Sequence, residues 1–308
     1  MGDRVVLLDS SGPLHARFHA CTEPRVAVVD GKPVDVAALY SYCDYLRKVA
    51  KEIEYDHLIH VVDPDGGSAH RVVLYPDYKA HRPPTHPALA AQKALLKPLL
   101  EAFGHTVVRR QGIESDDLIG ALARKYAARG DEVLVITSDK DLMQLVKDGE
   151  VCLARYVDGG YGKKTHDFYE EADVEKKFGV RPDQVADWLA LVGDAADNIP
   201  GVHKVGEKTA TKWLQEFGSL ASLMTNADTI KGALGDRLRE SLPNLKLYRQ
   251  LTGMIEIDID IPSPPPAIQD RLSWAKAIIN PPAYWADDIN GDLRDFPAPA
   301  DTSSRMKI

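Results

Sequence analysis

Along the first 155 residues the apolar positions switch between two rhythms, the unbroken run of a buried strand and the three-to-four spacing of a helix. Residues 4–8, 58–62 and 106–108 are short apolar runs of strand length, and residues 132–136 form the most apolar run of all. Residues 26–29 read as a further strand, ended by Asp30-Gly31, a pair that favours a tight turn. Between residues 36 and 53, Leu39, Tyr42, Leu46, Val49 and Ile53 recur at helical spacing. Ser115 is placed to cap a helix over 116–128. Such alternation predicts an α/β class with a mainly parallel central sheet flanked by helices.

After about residue 170 the rhythm changes. Helical segments are expected at 171–178, 182–192, 208–216, 219–224, 228–240 and 244–252, with one alternating, strand-like stretch at 255–261. This divides the chain into an α/β part over 1–175 and a helical part over 176–261. Residues 262–308 carry eight of the 20 prolines between short acidic patches, the composition of an extended tail.

Composition then narrows the classes. With 44% hydrophobic residues, a chain of 308 can bury a sizeable core, which excludes wholesale disorder. No run approaches the ~20 apolar residues of a membrane helix, and the N-terminus lacks the layout of a signal peptide. The three cysteines stand far apart in no metal-binding pattern, as reduced thiols of a cytosolic protein do. The net charge of -8 argues against a nucleic-acid partner, because phosphate binding needs local positive charge.

The placement of the acids reverses that inference. Asp9 follows the run 4–8, Asp63 follows 58–62, and Asp139 and Asp141 follow 132–136. In a parallel sheet these strands end on one rim, where α/β folds place their ligands. Glu114, Asp116 and Asp117 open the helix after 106–108 and fall at the same rim. Singly, each has an ordinary explanation: acids complement a helix dipole, and Asp is common in turns. Jointly, four sets on one rim repel one another and call for divalent cations. An all-oxygen donor set favours Mg²⁺ or Mn²⁺, and two such ions ~4 Å apart suit in-line hydrolysis of a phosphodiester.

A second constellation lies in the helical part. Asp194 and Asp197 are spaced to share one face of a turn, and Gly201 and Gly206 flank a compact loop before a helix near Lys208. Glycines and a helix N-terminus let backbone N–H groups approach a phosphate, and Lys204, Lys208 and Lys212 add charge suited to DNA backbone. The plainer reading is a glycine-rich helical hairpin with solvated lysines. Residues 70–110 add a basic segment, seven Lys plus Arg against Asp77 and Glu101. Of these, Lys93 and Lys97 are expected as solvated helix-face residues. His70, His81 and His86 lack zinc spacing.

These residues resemble the 5′-nuclease family of flap endonucleases and 5′–3′ exonucleases, in particular the N-terminal nuclease domain of bacterial DNA polymerase I. The matching stretches are Leu7-Leu-Asp-Ser-Ser11 with Arg17-Phe-His-Ala20, Val61-Val-Asp63, Tyr78-Lys-Ala-His-Arg-Pro-Pro84, Gly112 to Gly120, Thr137 to Leu145, and Gly193 to Ala210. They follow family order over roughly residues 4–255.

The resemblance implies a PIN-like fold with a helical arch near 78–95 and a helix–hairpin–helix element at 194–217. It implies that Asp9, Asp63, Glu114, Asp116, Asp117, Asp139 and Asp141 bind metal, with Asp194 and Asp197 serving a more loosely held second ion. Lys79 and Arg82 would steer the scissile phosphate and Tyr78 would stack the terminal base. Arg17, Arg71, Gly201, Val202, Lys204, Gly206, Lys208, Thr209 and Lys212 are expected to contact DNA, with K⁺ at the hairpin loop. The sequence departs from the family at His203-Lys204, where a glycine is common, and at Asp65, where a basic or small residue is usual.

The expected activity is thus Mg²⁺-dependent cleavage of DNA at 5′ ends, flaps or nicks, leaving 5′-phosphate, by a monomeric stand-alone nuclease. A PIN-like ribonuclease shares the acidic rim but not the hairpin. A non-catalytic junction binder would not need all nine acids. Setting those nine aside leaves the rest of the chain at +1.

Overall fold

A six-stranded sheet in the order β5-β4-β1-β6-β7-β8 forms the centre of a computed structural model that describes residues 2–157, 166–263 and 269–280. Its strands are β1 (Arg4–Asp9), β4 (His57–Val61), β5 (Thr106–Val108), β6 (Glu132–Ile136), β7 (Val151–Tyr156) and β8 (His166–Tyr169). All neighbours run parallel except β7 and β8. Side chains of β1 alternate between two cores: Val5 and Leu7 pack on one face, Val6 and Leu8 on the other. The first face is covered by α5 (Ser115–Ala127) and by helices of the C-terminal part. The second is covered by α2 (Ala37–Glu52) and α4 (Pro87–Ala102), with Leu14 of α1 (Ser11–Ala20).

Asp30-Gly31 does make the expected turn, with both residues at positive φ, and joins β2 (Val26–Val29) to β3 (Lys32–Asp35) as a separate hairpin. A short helix, α3 (Ala69–Leu74), follows β4. β7 and β8, together with α1 and α3, are elements the hydrophobic rhythm did not single out. Glu114 rather than Ser115 holds the cap position of α5, because Ser115 already has helical geometry.

The C-terminal part contains α6 (Glu171–Phe178), α7 (Val185–Val192), α8 (Glu207–Phe217), α9 (Leu220–Thr225) and α10 (Gly232–Thr252). The two helices expected at 228–240 and 244–252 are one. Pro243 lies inside α10 and removes a single backbone hydrogen bond. Burial of Leu238 before it and Leu245, Tyr248 and Leu251 after it holds the halves together.

The stretch expected as a strand at 255–261 takes no regular element and joins no ladder. Its alternation arises because Ile257, Ile259 and Ile261 pack on the core while Lys125 and Arg110 bind its carbonyls. Within the expected tail, α11 (Gln269–Ile279) buries Ala275, Ile278 and Ile279 against the α2–α4 face. The remainder, residues 264–268 and 281–308, lies outside the described residues. Among the described residues no helix is long and apolar enough to cross a membrane.

Candidate active site

Sheet register alone brings the first acids together. Asp9 stands level with Val61 on one side, so Asp63 emerges two residues further along β4. On the other side Leu8 is level with Ile136, which sets Thr137 beside Asp9 and Asp139 two residues beyond. The Thr137 hydroxyl donates to Asp9 Oδ2 at 2.9 Å and accepts from the Asp139 N–H at 3.0 Å. Asp63 Oδ1 accepts from the Ser115 N–H at 2.8 Å, fixing the start of α5 and with it Asp116. Sequence reasoning missed Thr137, although its position between a strand end and Asp139 was visible.

Charge repulsion shows how close the acids are. Burial, then Asp63 and Asp139, push the Asp9 carboxyl up to about 7 despite the Thr137 bond. Burial and repulsion from Asp139, Asp9 and Asp63 raise Asp116 well above the carboxylate range. Asp141 is pushed up to about 8 by burial and then by Asp139 and Asp194. Asp139 itself is raised, mainly by burial. Carboxyls in this state bind protons where they ought to be ionised, the condition a hard divalent cation relieves.

The donor set fits such an ion. It is all oxygen, and Asp141 Oδ1 is buried with no hydrogen-bond partner. Among the described residues no three acidic, histidine or cysteine side chains close into a ready-made cage. The acids line an open rim instead, and cations of the chain reach into it. Lys79 pairs with Glu114, Arg82 with Asp197 at 2.8 Å, and Lys140 with Asp194 at 3.1 Å. Burial works against the charge on Lys79, but Glu114 and Asp197 outweigh it and hold the ammonium above its ordinary value. Lys140, between Asp139 and Asp141, is a second member that sequence reasoning missed.

Four expected roles change. Asp117 is wholly buried, and its oxygens are taken by Arg71 at 2.6 and 2.8 Å and by the Ile255 N–H at 3.1 Å, so it faces away from the rim. Arg71 is buried too. It also binds Glu114 and the carbonyls of Leu251 and Gly253, so it ties the end of α10 to the acid site instead of meeting DNA. Tyr78 is 4% exposed, with its hydroxyl donating to Asp197 at 2.8 Å, and offers no face for a base. Arg17 likewise lies over the Tyr45 ring at 4.2 Å and bonds the carbonyls of Ser41 and Pro13, a packing role rather than a DNA contact. Glu114 keeps its place at the rim, but Lys79, Arg71, Ser68 and Tyr78 all bond it.

Of the helical arch expected near 78–95, residues 78–86 hold no helix and 87–95 belong to α4. Residues 77–82 make turns and a bend, and 83–86 take no regular element up to Pro87, which starts α4. Pro83, Pro84 and Pro87 disfavour helix at the residues before them. The turn is pinned across the rim: Lys79 N–H bonds Asp197 O at 3.1 Å, and Asn198 Nδ2 bonds Asp77 O at 2.7 Å.

The 193–201 turn that receives it is closed by reciprocal bonds between Asp194 and Ile199, both 2.8 Å. A Cβ on Gly201 would stand 2.4 Å from Gly193 N, so glycine is required there. Of the helix–hairpin–helix expected at 194–217, that range holds this turn and α8, with α7 ending before it, and Lys204, Lys208 and Lys212 are exposed. Val202 is buried and Thr209 half-buried, while Gly206 precedes α8. Lys204 has φ +62°, the left-handed conformation that explains why a glycine is usual there. Asp65 is exposed and paired with Arg109 at 3.1 Å, which offsets its charge near the rim.

Two family models cover the chain: "5'-3' exonuclease, N-terminal resolvase-like domain" over residues 4–179, and "5'-3' exonuclease, C-terminal SAM fold" over 180–271. DNA polymerase I of Mycobacterium bovis is 37% identical over 258 residues, 84% of this chain and 27% of that protein. The thermostable DNA polymerase I of Thermus aquaticus is 36% identical over 265 residues, 84% of this chain and 29% of that protein. The chain thus spans under a third of the length of these relatives. Among solved structures, a zinc-bound T5 5′-exonuclease superposes with TM-score 0.65 at 20% identity, covering 95% of this chain and 98% of that one. The catalytic core of Rad2 in complex with DNA superposes with TM-score 0.59 at 17% identity, covering 94% and 92%. At these identities the structural likeness is one of fold.

Proposed function

The chain belongs to the 5′–3′ exonuclease family, and from that premise we propose that it hydrolyses the backbone of DNA at 5′ ends, flaps and nicks, using divalent metal ions held on the acidic rim. The observation that carries this reading is the meeting of Asp9, Asp63, Asp116, Asp139 and Asp141, with four of them pushed toward protonation by burial and one another's charge.

These five, with Glu114, would hold the first metal, and Asp194 and Asp197 a second. Mg²⁺ is the cation of choice, with Mn²⁺ able to replace it, because every donor is a hard oxygen. A divalent ion held by these residues would supply a water nucleophile at neutral pH and charge to neutralise the phosphate. The protein's own part is positioning. Thr137 orients Asp9 and Asp139, and Asp63 orients α5. Lys79 and Arg82 sit where a scissile phosphate would exchange them from Glu114 and Asp197, so they are assigned to binding it and stabilising its developing charge.

We assign residues 1–175 to the chemistry and 176–261 to holding duplex. Lys204, Lys208 and Lys212 project from one helical hairpin, as a reader of backbone phosphates requires. K⁺ is assigned to the loop of that hairpin.

The experiment is cleavage of a labelled 5′-flap duplex with Mg²⁺ and with chelator. Release of a 5′-phosphorylated product only with Mg²⁺ supports the proposal; tight binding without cleavage under either condition overturns it.

A further inference from the structure

Lys140 is a cation of the acid rim to which the chemistry above gives no part. It opens a short 3-10 helix, Lys140–Leu145, whose cap is Asp139, and the Asp139 carboxylate accepts from the Asp141 N–H at 2.9 Å. The Lys140 backbone is thereby fixed between two of the acids assigned to the first metal. Its half-exposed side chain reaches across to the 193–201 turn, where the ammonium meets Asp194 Oδ2 at 3.1 Å. Asp194 itself is buried.

The two sets of acids differ in what already holds them. In the 193–201 turn each carboxylate oxygen of Asp194 and Asp197 has a donor from the chain. Asp194 Oδ1 accepts from the Ala196 N–H at 2.8 Å, and its Oδ2 is paired with Lys140. Asp197 Oδ1 is taken by Arg82 at 2.8 Å and its Oδ2 by the Tyr78 hydroxyl at 2.8 Å. Among the described residues, by contrast, no lysine or arginine pairs with Asp9, Asp63, Asp116, Asp139 or Asp141. Asp141 Oδ1 is even buried without a hydrogen-bond partner. These five acids can therefore take a divalent cation without giving up a charge of the protein, whereas Asp194 must first give up an ammonium. In the reading above substrate draws Lys79 and Arg82 away from Asp197; Asp194 has a cation of its own.

We propose that Lys140 is the internal counter-ion of Asp194, a positioning residue that competes with the second divalent cation and makes that site the weaker and the last to fill. This rests on the metal-dependent reading above and gives the looser hold expected on the second ion a cause in one side chain. A site whose ligand is free only part of the time loses apparent affinity by that fraction. Lysine stays charged across the neutral range, so the competition persists there without a switch in protonation. Tethered between Asp139 and Asp141, the displaced ammonium stays at the rim and returns to Asp194 when the carboxylate is released.

The test is Mn²⁺ binding to the DNA-free protein, read from the electron paramagnetic resonance signal of unbound Mn²⁺. Wild type should take one ion tightly and a second weakly. Lys140→Met should strengthen the weaker site at least about fivefold more than the tighter one, the worth of a half-exposed ion pair, and Lys140→Gln should show the same gain. Lys140→Arg keeps charge and reach and should stay within about twofold of wild type. Once Asp194→Asn has removed the contested carboxylate, adding Lys140→Met should change second-ion binding less than about twofold. Equal gains at both sites mark a long-range effect of charge and overturn the proposal. So do two ions of equal affinity in wild type, or the same gain in the Asp194→Asn background. If wild type binds Mn²⁺ and the uncharged variants match it, only the role of Lys140 fails. A wild type that binds no Mn²⁺ sinks the metal-dependent reading and this proposal with it.

Discussion

Arg71 holds both carboxylate oxygens of Asp117, at 2.6 and 2.8 Å, in a site where the Asp117 side chain has no exposure at all. The same guanidinium bonds Glu114 at the rim and two carbonyls at the end of α10, so one side chain joins the catalytic sheet to the helical part. Arg71→Ala leaves a buried carboxylate unpaired and should cost about 3–5 kcal/mol of stability. Arg71→Met/Asp117→Leu, which removes both charges, should cost clearly less than the single change. Chemical denaturation of the three proteins checks this. Equal loss in single and double variants would show that the pair is not what Arg71 supports.

The acids predict an inverted pH response in metal-free protein. Asp9 and Asp141, raised to about 7 and about 8, hold protons more tightly folded than unfolded, so stability falls as pH rises through their folded values. Buried His60 and half-buried His105, both held below their ordinary value by desolvation, act in the opposite sense, but only below about pH 6.5, the unfolded histidine value. Between pH 6.5 and 8 the acids are therefore seen alone. The melting temperature in chelator should drop over that interval, and Mg²⁺ should raise it more at pH 8 than at pH 6.5, since binding must displace fewer protons. A melting temperature that climbs with pH in chelator would contradict the assignment.

Tyr78 separates two roles by one atom. As a stacking platform it would tolerate Tyr78→Phe. With its hydroxyl bonded to Asp197 at 2.8 Å and Glu114 at 3.3 Å, the change instead removes a bond to charged partners, worth about 1.5–3 kcal/mol. We expect lower stability and several-fold slower cleavage at saturating substrate, with DNA affinity kept. Single-turnover rates against binding titrations distinguish the two.

The hairpin lysines should act without regard to sequence. Lys204→Ala and Lys208→Ala are each expected to lower the salt slope of duplex binding by about one and to weaken binding equally on unrelated duplexes. Loss confined to one sequence would point to base reading instead.

Much of this site is legible in the sequence. Parallel strands put Asp9, Asp63 and Asp139 on one rim because register carries residues after each strand to the same edge, and short apolar runs mark strand ends well. Gly201 of the 193–201 turn was equally plain, whereas Gly206, read as its companion, has open space where a Cβ would stand. What failed depended on direction. Asp116 and Asp117 are neighbours in sequence, and 100° of helical rotation sends one to the rim and the other to Arg71. Likewise Tyr78 and Arg17 carry nucleic-acid chemistry by type, and only packing showed that their rings and charges are spent inside the protein. The alternation at 255–261 reported a packed side, not a ladder, since periodicity records burial and says nothing of backbone partners.

The most direct test of the central claim is Asp116→Asn beside wild type, with cleavage of a 5′-flap duplex measured in single turnover with Mg²⁺ and binding measured separately without it. The account predicts a loss of cleavage of at least about 10²–10³-fold, as for removal of a main electrostatic contact, with affinity for the flap duplex within a few-fold of wild type. Lost binding with intact turnover of bound substrate, or cleavage within tenfold of wild type, would contradict it.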